Sequence, residues 1–580
     1  MARIAVVEKE KCNPLKCGNY LCVRYCPVNR DGKECMLPGD DSKVMINEEL
    51  CIGCNICVHK CPFDALHIIN LPTALTSDPI HRYGVNAFSL YNLPIPIFGK
   101  VVGIIGRNGI GKSTAIKILA GVMKPNLGKI GSEATYEQMI DRFKGTEAQG
   151  FFEKMHKGEI KVSYKPQQVD QIPTHYSGTV RSLLEKSDEK KQMKSICSEL
   201  GITKILDHDI KQISGGELQR VAIAACVLKK ANVYFFDEPT SYLDIKQRLI
   251  VSHFIRKLAD EKTAVLVIEH DLIILDAVSE LVHIMYGKEN AYGIVSHVKS
   301  AKAGINTYLD GYIRDENMRF RDHAIHFEKR PPSESDKDLS LTSWSAIRHT
   351  LGTFTIGSGS GEIFRHDVIG VLGENGIGKT TFIKLLAGVI DNPAALKSIK
   401  IAYKPQYLEP NDSYVMDILR DIGSYESILR PLHLAMLYDL KLSELSGGQL
   451  QRVAIARTLL QNADLYLLDE PSAYLDVEQR LMLSKVIRDM MNAKGKAALI
   501  VDHDLLFIDY LSKRLLVFTG EPAVKGVAKG PYSMQEGMNL FLSDIHLTFR
   551  RDEENNRPRV NKPESKMDQK QRSEGKLYYD

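Results

Sequence analysis

Nine of the chain's eleven cysteines fall between Cys12 and Cys61. Cys51, Cys54 and Cys57 stand at C-x2-C-x2-C spacing, and Cys61 with Pro62 extends the run as C-x3-C-P. Three thiolates at that spacing wrap one four-iron cubane, while the fourth reaches to a neighbouring cluster. Cys12, Cys17, Cys22 and Cys26 supply the complement, the last again followed by a proline. Exchange of the fourth ligands assigns one [4Fe-4S] cluster to Cys12, Cys17, Cys22 and Cys61 and a second to Cys26, Cys51, Cys54 and Cys57. Cys35 is left over as a bystander. A structural zinc domain is the alternative, and the two proline-terminated ends favour iron–sulfur chemistry over it.

The first group of cysteines is more widely spaced than in a standard ferredoxin, C-x4-C-x4-C-x3-C. A cluster can carry electrons, or it can staple a small fold.

A second chemistry follows. "GRNGIGKS" (106–113) comes after the apolar run "KVVGIIG" and before "TAIKILAGVM", which reads as strand, glycine loop, helix. Gly106, Gly109 and Gly111 let backbone N–H groups turn toward phosphate, Lys112 reaches the terminal phosphates, and Ser113 can ligate Mg²⁺. "GENGIGKT" (373–380) repeats the arrangement after "DVIGVLG", with Lys379 and Thr380 in the same roles. Asn108 and Thr114 complete the first candidate loop. Asn375, Gly376, Gly378 and Thr381 belong to the second.

The repetition continues. "ISGGELQRVAIA" (213–224) answers "LSGGQLQRVAIA" (445–456), and "VYFFDEPTSYLD" (233–244) answers "LYLLDEPSAYLD" (465–476). Ser214 to Ser446 and Asp237 to Asp469 are both 232 residues, and His270 to His503 is 233. The chain is a tandem duplication. Asp237 and Asp469 end apolar strands, where a carboxylate can hold the Mg²⁺ shell. Glu238 and Glu470 stand next door, placed to orient or deprotonate an attacking water.

P-loop, SGG signature, strand ending in Asp-Glu, and a later histidine, in that order, resemble the ATP-binding cassette (ABC) nucleotide-binding domain. The resemblance implies an α/β fold: two tandem P-loop domains behind an N-terminal ferredoxin-like α+β iron–sulfur domain. It implies that Gln167 and Gln406 sense Mg²⁺ and the γ-phosphate, and that His270 and His503 contact the γ-phosphate. Each signature serves the opposite cassette in that family. One composite ATP site then joins Lys112, Ser113, Gln167, Asp237, Glu238 and His270 to Ser446, Gly447, Gly448 and Gln449. The other joins Lys379, Thr380, Gln406, Asp469, Glu470 and His503 to Ser214, Gly215, Gly216 and Glu217. Asp244 and Asp476 close the duplicated aspartate stretches and count among the nucleotide contacts. The unlike pair Glu217 and Gln449 suggests unequal turnover at two sites that both hydrolyse ATP. Tyr83, 29 residues before Lys112, resembles the family's adenine-stacking aromatic. In the second copy Trp344 is preferred over Phe354 for that role.

The elements that must position these groups divide the chain as follows: 1–75 for the cysteine module, 76–305 for the first cassette, 306–335 for a hinge, 336–535 for the second cassette, and 536–580 for a second hinge and tail. An insertion at about 131–160 lengthens the first copy, so that Lys112 to Gln167 spans 55 residues against 27 from Lys379 to Gln406. It reads as helix–loop–helix, either a spare surface pair or a docking element. Arg319-Phe320-Arg321-Asp322 echoes Phe549-Arg550-Arg551-Asp552 at the two cassette joins. The tail from Arg550 holds nine basic and seven acidic residues and few apolar ones, a composition that predicts partial mobility.

Composition is that of a globular protein, 44% hydrophobic and 26% charged, with net charge +4. No apolar run reaches membrane-spanning length and no signal peptide is evident, so a cytoplasmic location without a membrane partner is expected. The first 70 residues carry nine basic and nine acidic side chains, which gives no basic arm.

Module, twin cassettes, insertion and paired hinges together resemble the ABC-E family, also called RNase L inhibitor, in its compact archaeal form. The resemblance implies an ATPase that splits ribosomes into subunits after termination or stalling. It would act on the small subunit, its rRNA and proteins, beside a release factor or a Pelota-like factor, with a link to initiation factors. Implied cofactors are ATP, Mg²⁺ and the two clusters. The alternatives are an ATP-gated iron–sulfur reductase, for which no flavin or further metal motif is found, and another ABC-type translation or nucleic-acid factor.

Overall fold

The computed structural model describes residues 3–7, 12–39, 42–47, 50–63, 65–70, 78–84, 87–321, 324–325, 327, 340–391, 396, 398–406, 408–420, 426–562 and 564–578. The expected boundary at 75/76 and the end of the first join (328–335) lie outside them.

The apolar runs fold as parallel strands covered on both faces. Val101–Ile105, Val233–Asp237 and Ala264–Ile268 are buried at every position, as strands between two helical layers must be. Across the first sheet the strands run His81–Arg82, Ser89–Tyr91, Tyr292–Val295, Leu281–Lys288, Val101–Ile105, Ala264–Ile268, Val233–Asp237 and Val162–Lys165. The second sheet repeats this order from Ile347–Leu351 to Ile401–Lys404, with Val368–Leu372 central. Each central strand delivers its chain to a glycine loop at its C-terminal end, the position where α/β sheets bind ligands.

At the N-terminus Arg3–Val7 pairs antiparallel with Leu66–Asn70, Val7 opposite Leu66. Three short helices, Leu21–Tyr25, Pro27–Arg30 and Ile56–Lys60, lie between these strands, and Cys22 and Cys57 fall within them. The module meets the first join where Asn317 Nδ2 donates to the Ile68 carbonyl at 3.1 Å.

The insertion forms helices Tyr136–Arg142 and Glu147–His156, the first capped by Thr135 in a reciprocal box with Gln138. Phe143, Phe151 and Phe152 are buried in the first cassette's core.

The tail, for which composition predicts partial mobility, is largely folded. Phe549–Arg551 and Pro558–Val560 form a hairpin, and Lys566–Glu574 forms a helix. Arg557 is fully buried, while Arg559 makes a two-pronged contact with Asp276 of the first cassette at 2.7 and 3.0 Å. Asn306, at the start of the first join, also donates to Asp552 and Glu554. Nearly balanced charge counts hid a set of specific pairs.

Among the described residues no helix is long and apolar enough to cross a membrane.

Candidate functional site

Both P-loops are shaped by a glycine that no other residue could replace. Gly111 has φ +87°, and a Cβ there would meet Phe88 at 2.5 Å; Gly378 has φ +92° with Phe354 at 2.9 Å. The helices Lys112–Leu119 and Lys379–Leu386 begin at once, so their free N–H groups face the loop mouth. Lys112 Nζ donates to the carbonyls of Gly106 at 2.8 Å and Arg107 at 2.5 Å, and Lys379 makes the same pair of contacts with Gly373 and Glu374. Burial pulls the Lys379 ammonium down to about 8 against several neighbouring carboxylates.

Glu238 and Glu470 both sit at φ +46°, a conformation that costs free energy in a non-glycine residue. That backbone is held from below. Gln219 Nε2 donates to the Glu238 carbonyl at 2.7 Å, Lys165 Nζ reaches it at 3.2 Å, and Gln451 does the same for Glu470 at 2.7 Å. The Glu238 carboxylate accepts from Gln167 Nε2 at 2.7 Å and lies 3.4 Å from His270 Nε2. Burial alone would raise Glu238, but His270 and the ammonium groups of Lys112 and Lys165 outweigh it and hold the carboxylate at about 2. Glu470 is likewise at about 2, against burial, through His503, Gln406 and Lys379.

Burial wins at the neighbouring aspartates. Asp237 is raised and Asp469 reaches about 6, while the hydroxyls of Ser113 and Thr380 pull the other way. Asp237 Oδ1 and both Asp469 carboxylate oxygens are buried without a partner. Orphaned oxygens beside a P-loop hydroxyl are a donor set that fits a hard cation.

The two cassettes face each other. Asn108 N–H donates to Asp476 Oδ2 at 3.0 Å, and Asn375 N–H to Asp244 Oδ2 at 2.9 Å. Asn108 Nδ2 also donates to the Tyr474 carbonyl, as Asn375 Nδ2 does to that of Tyr242, both at 3.3 Å. A Cβ on Gly448 would lie 4.0 Å from Asn108 Nδ2, so the second signature borders the first P-loop. Tyr242 and Tyr474 meet edge to face between them. Deeper in the seam Arg248 pairs with Asp271 and Arg480 with Asp504. Burial, then the charge of Asp504, raises Asp271 to about 6.

The signature side chains cap their own helices. Glu217 Oε2 accepts from Ser214 N–H at 2.8 Å and from its hydroxyl at 2.7 Å; Gln449 Oε1 accepts from Ser446 N–H at 2.8 Å. The difference between the copies is therefore one extra contact on the Ser214 hydroxyl.

Trp344 is not an adenine platform. It is buried to 2% exposure, donates from Nε1 to the Gly359 carbonyl at 3.0 Å, and packs edge-on against Phe382. Tyr83, by contrast, is exposed beside the P-loop with its hydroxyl 3.0 Å from Thr114. Tyr83 bonds across its hairpin to Phe88, as Leu351 pairs with Phe354. Phe88 and Phe354 each contact the P-loop glycine of their own copy. The second copy thus offers Leu351 and Phe354 where the first offers Tyr83 and Phe88.

In the N-terminal module Cys12, Cys17, Cys22 and Cys61 line one cavity with Tyr20 and Phe63. Cys57 faces Cys51 and Cys54, and burial ahead of their charges raises its thiol to about 12. Backbone N–H groups of Ala5 and Ala65 donate to the sulfurs of Cys51 and Cys61 at 3.2 and 3.4 Å, contacts that stabilise thiolate. Among the described residues no three donors converge as for a single ion. Sulfurs ringing a cavity suit a polynuclear cage. Cys35 is buried beside Cys26 and Cys51, which with burial push it to about 12.

The ABC transporter family profile matches residues 97–241 and 358–473. Residues 2–34 match the possible Fer4-like domain in RNase L inhibitor, and residues 44–67 the 4Fe-4S binding domain. Translation initiation factor RLI1 of Saccharomyces cerevisiae is 43% identical over 100% of this chain and 98% of its own length. The chain belongs to the ABC-E family. Among solved structures, the archaeal ribosome recycling factor aABCE1 in complex with ribosomal stalk protein aP1 is 48% identical, with TM-score 0.82 over 87% of this chain and 99% of that one. ABCE1 in an assembly of ribosome-bound archaeal Pelota and ABCE1 is 49% identical, with TM-score 0.83 over 100% and 99%. As an ABC-E protein the chain is an ATP hydrolase that binds ATP and iron–sulfur clusters.

Sequence reasoning missed several ABC-E site residues. Lys165 and Lys404 prop the Asp-Glu turns through carbonyls of Asp237 and Asp469 at 2.9 and 3.0 Å. Both occur in a duplicated "YKPQ", a repeat that marks the lysine as well as the glutamine. Gln219 and Gln451 lie in the duplicated "LQR" and were open to the same argument.

Proposed function

We propose that ATP draws the two cassettes together across the seam just described, and that this closing moves the cysteine module and splits ribosomes into subunits after termination or stalling. The observation that carries the reading is reciprocity: each P-loop donates to the aspartate that closes the other cassette's duplicated stretch. A nucleotide bound at such a seam holds both halves, so its affinity differs between open and closed states, as any ligand-driven switch requires. Moving a switch from about 1:99 to 99:1 takes about 5.5 kcal/mol, within reach of two shared sites.

Lys112 and Lys379 exchange their loop carbonyls for phosphate oxygens. Ser113 with Asp237, and Thr380 with Asp469, hold Mg²⁺, which when bound neutralises charge on the phosphates. Glu238 and Glu470 stay ionised and orient the attacking water, with Gln167 and Gln406 fixing their carboxylates and His270 and His503 meeting the γ-phosphate. Ser214 and Ser446 present helix N-termini to the phosphates of the opposite site. Two [4Fe-4S] clusters, on Cys12, Cys17, Cys22, Cys61 and on Cys26, Cys51, Cys54, Cys57, stiffen a module too small for a substantial core.

The ribosome is the proposed partner, through the rRNA and proteins of its small subunit, together with a release factor or a Pelota-like factor. Its similarity to a named recycling factor and to a ribosome-bound assembly with Pelota supports this. The yeast relative's name supports a link to initiation factors. The site of action is the cytoplasm. Sedimentation of purified ribosomes with this protein, a release factor and ATP tests the reading: subunits are expected, and intact ribosomes under all conditions overturn it.

A further inference from the structure

The hydrogen bonds that join each P-loop to the facing aspartate segment are duplicated, so a seam between two first cassettes, or two second cassettes, of different chains would reproduce them. The Asn108–Asp476 and Asn375–Asp244 bonds are interchangeable in this sense. One pair of positions breaks the equivalence. Arg107 of the first P-loop meets Glu478 of the second cassette at 2.8 Å, and Lys246 of the first cassette meets Glu374 of the second P-loop at 2.8 Å. Arg107 and Glu374 occupy the same P-loop position; Lys246 and Glu478 both lie two residues after the closing aspartate. The charges are exchanged between the copies.

We infer that these two ion pairs specify which cassette closes on which. Within the chain both contacts join unlike charges. Two first cassettes would set Arg107 against Lys246 twice over, and two second cassettes would set Glu374 against Glu478. Pairing specificity is a difference between partners, and repulsion in the wrong one supplies it as effectively as attraction in the right one. Each pair is half-exposed on its P-loop or lysine side, so its attraction alone contributes little to stability. Discrimination is the larger effect because the wrong pairing replaces two attractions by two repulsions. Glu478 is also fixed from behind, its other oxygen accepting from Arg321 at 2.9 and 3.0 Å in the join between cassettes. The join therefore holds the acceptor in register for Arg107. A tandem duplicate with interchangeable seams would otherwise be open to chain-to-chain pairing whenever ATP favours closure.

The full-length protein tests this with a non-hydrolysable ATP analogue. The double variant R107E/E374K makes like charges face each other within a chain and unlike charges face each other between chains. It is expected to form concentration-dependent dimers in sedimentation velocity at analogue concentrations where the wild type stays monomeric. A variant that remains monomeric and closes at the wild-type analogue concentration overturns the inference. Singly, K246E and E374K are each expected to raise the half-saturating analogue concentration for closure, read by energy transfer between dyes on the two cassettes, by about threefold to tenfold. The exchanged pair K246E/E374K is expected to restore it to within about twofold. An exchanged pair no better than the worse single variant also overturns it. Loss of ribosome splitting alone would speak to the proposed function and not to this pairing rule.

Discussion

Asp476 Oδ2 accepts a hydrogen bond from the Asn108 N–H at 3.0 Å, across 368 residues of chain. The same carboxylate caps its own helix, its other oxygen accepting from Gln479 N–H at 2.9 Å. One residue thus reports the state of the first P-loop to the helix Val477–Lys494 of the other cassette.

Asp476→Ala is expected to lower ATP turnover by about tenfold while leaving nucleotide affinity of the open form within a few-fold, and to cost about 1 kcal/mol of stability from the lost cap. Asp476→Ser keeps a capping hydroxyl but is too short to reach Asn108. It is expected to recover the melting temperature and not the turnover. Recovery of both by serine would assign Asp476 to its own helix alone.

The catalytic pH dependence has a sign set by His270. Glu238 is at about 2 in the folded protein, below its ordinary 4.5, so its interactions stabilise fully above about pH 4.5 and are lost as pH falls toward 2. Its ionisation therefore does not limit ATP hydrolysis anywhere near neutrality. His270→Phe removes the foremost of the partners that offset burial, and Glu238 then rises from its depressed value. A single-turnover pH profile should show its acid limb moving upward in the variant, beyond any loss of rate. An acid limb unmoved by His270→Phe and His503→Phe alike would contradict the pairing.

What was legible in the sequence is what local chemistry demands. Gly111 and Gly378 need positive φ, Lys112 and Lys379 need to follow them, and duplication placed the Asp-Glu turns and histidines without reference to space. Trp344 was misjudged because counting back from Lys379 ignores hairpin register, and register decides which aromatic reaches the loop. The fold of the tail was not legible because composition counts charges and cannot show that Arg557 and Arg559 both face Asp276. Arg107 and Glu478 stand 371 positions apart, and only the folded seam makes them a pair.

Trp344 and Phe354 should separate cleanly. Trp344→Phe removes one of two donors to the Gly359 carbonyl, the Ser358 hydroxyl at 2.8 Å remaining, and is expected to cost about 0.5–1.5 kcal/mol of stability with nucleotide affinity unchanged. Phe354→Ala is expected to weaken nucleotide binding at the second cassette, measured by fluorescent-analogue titration in a Lys112→Ala background that silences the first. Equal affinity in Phe354→Ala and wild type would remove Phe354 from the platform.

Arg557 is buried completely beneath the tail hairpin, 3.6 Å from Asp276, which Arg559 also pairs. Removing Arg557 leaves Asp276 paired with Arg559 but empties a fully buried side-chain site and frees the Leu272 carbonyl, at a cost of about 3 kcal/mol. Arg557→Ala is expected to lower the melting temperature and to open the segment after Phe549 to protease. Wild-type resistance in the variant would mean that Arg559 alone secures the tail.

The cysteine assignment makes a prediction that runs against chain order. Cys61 lies four residues after Cys57, yet it shares a cavity with Cys12, Cys17 and Cys22. If fourth ligands are exchanged, Cys61→Ser releases the cluster held by the distant trio and spares the one held by its neighbours. Iron content should fall by about half, and Cys12, Cys17 and Cys22 should become open to alkylation while Cys51, Cys54 and Cys57 stay protected. Cys26→Ser should give the mirror image. A thiolate released from a cubane reacts as a free thiol, so mass spectrometry of the alkylated peptides reads the partition directly, without appeal to ATPase activity. Exposure of Cys51, Cys54 and Cys57 in Cys61→Ser would show that the ligands follow the sequence and not the cavity.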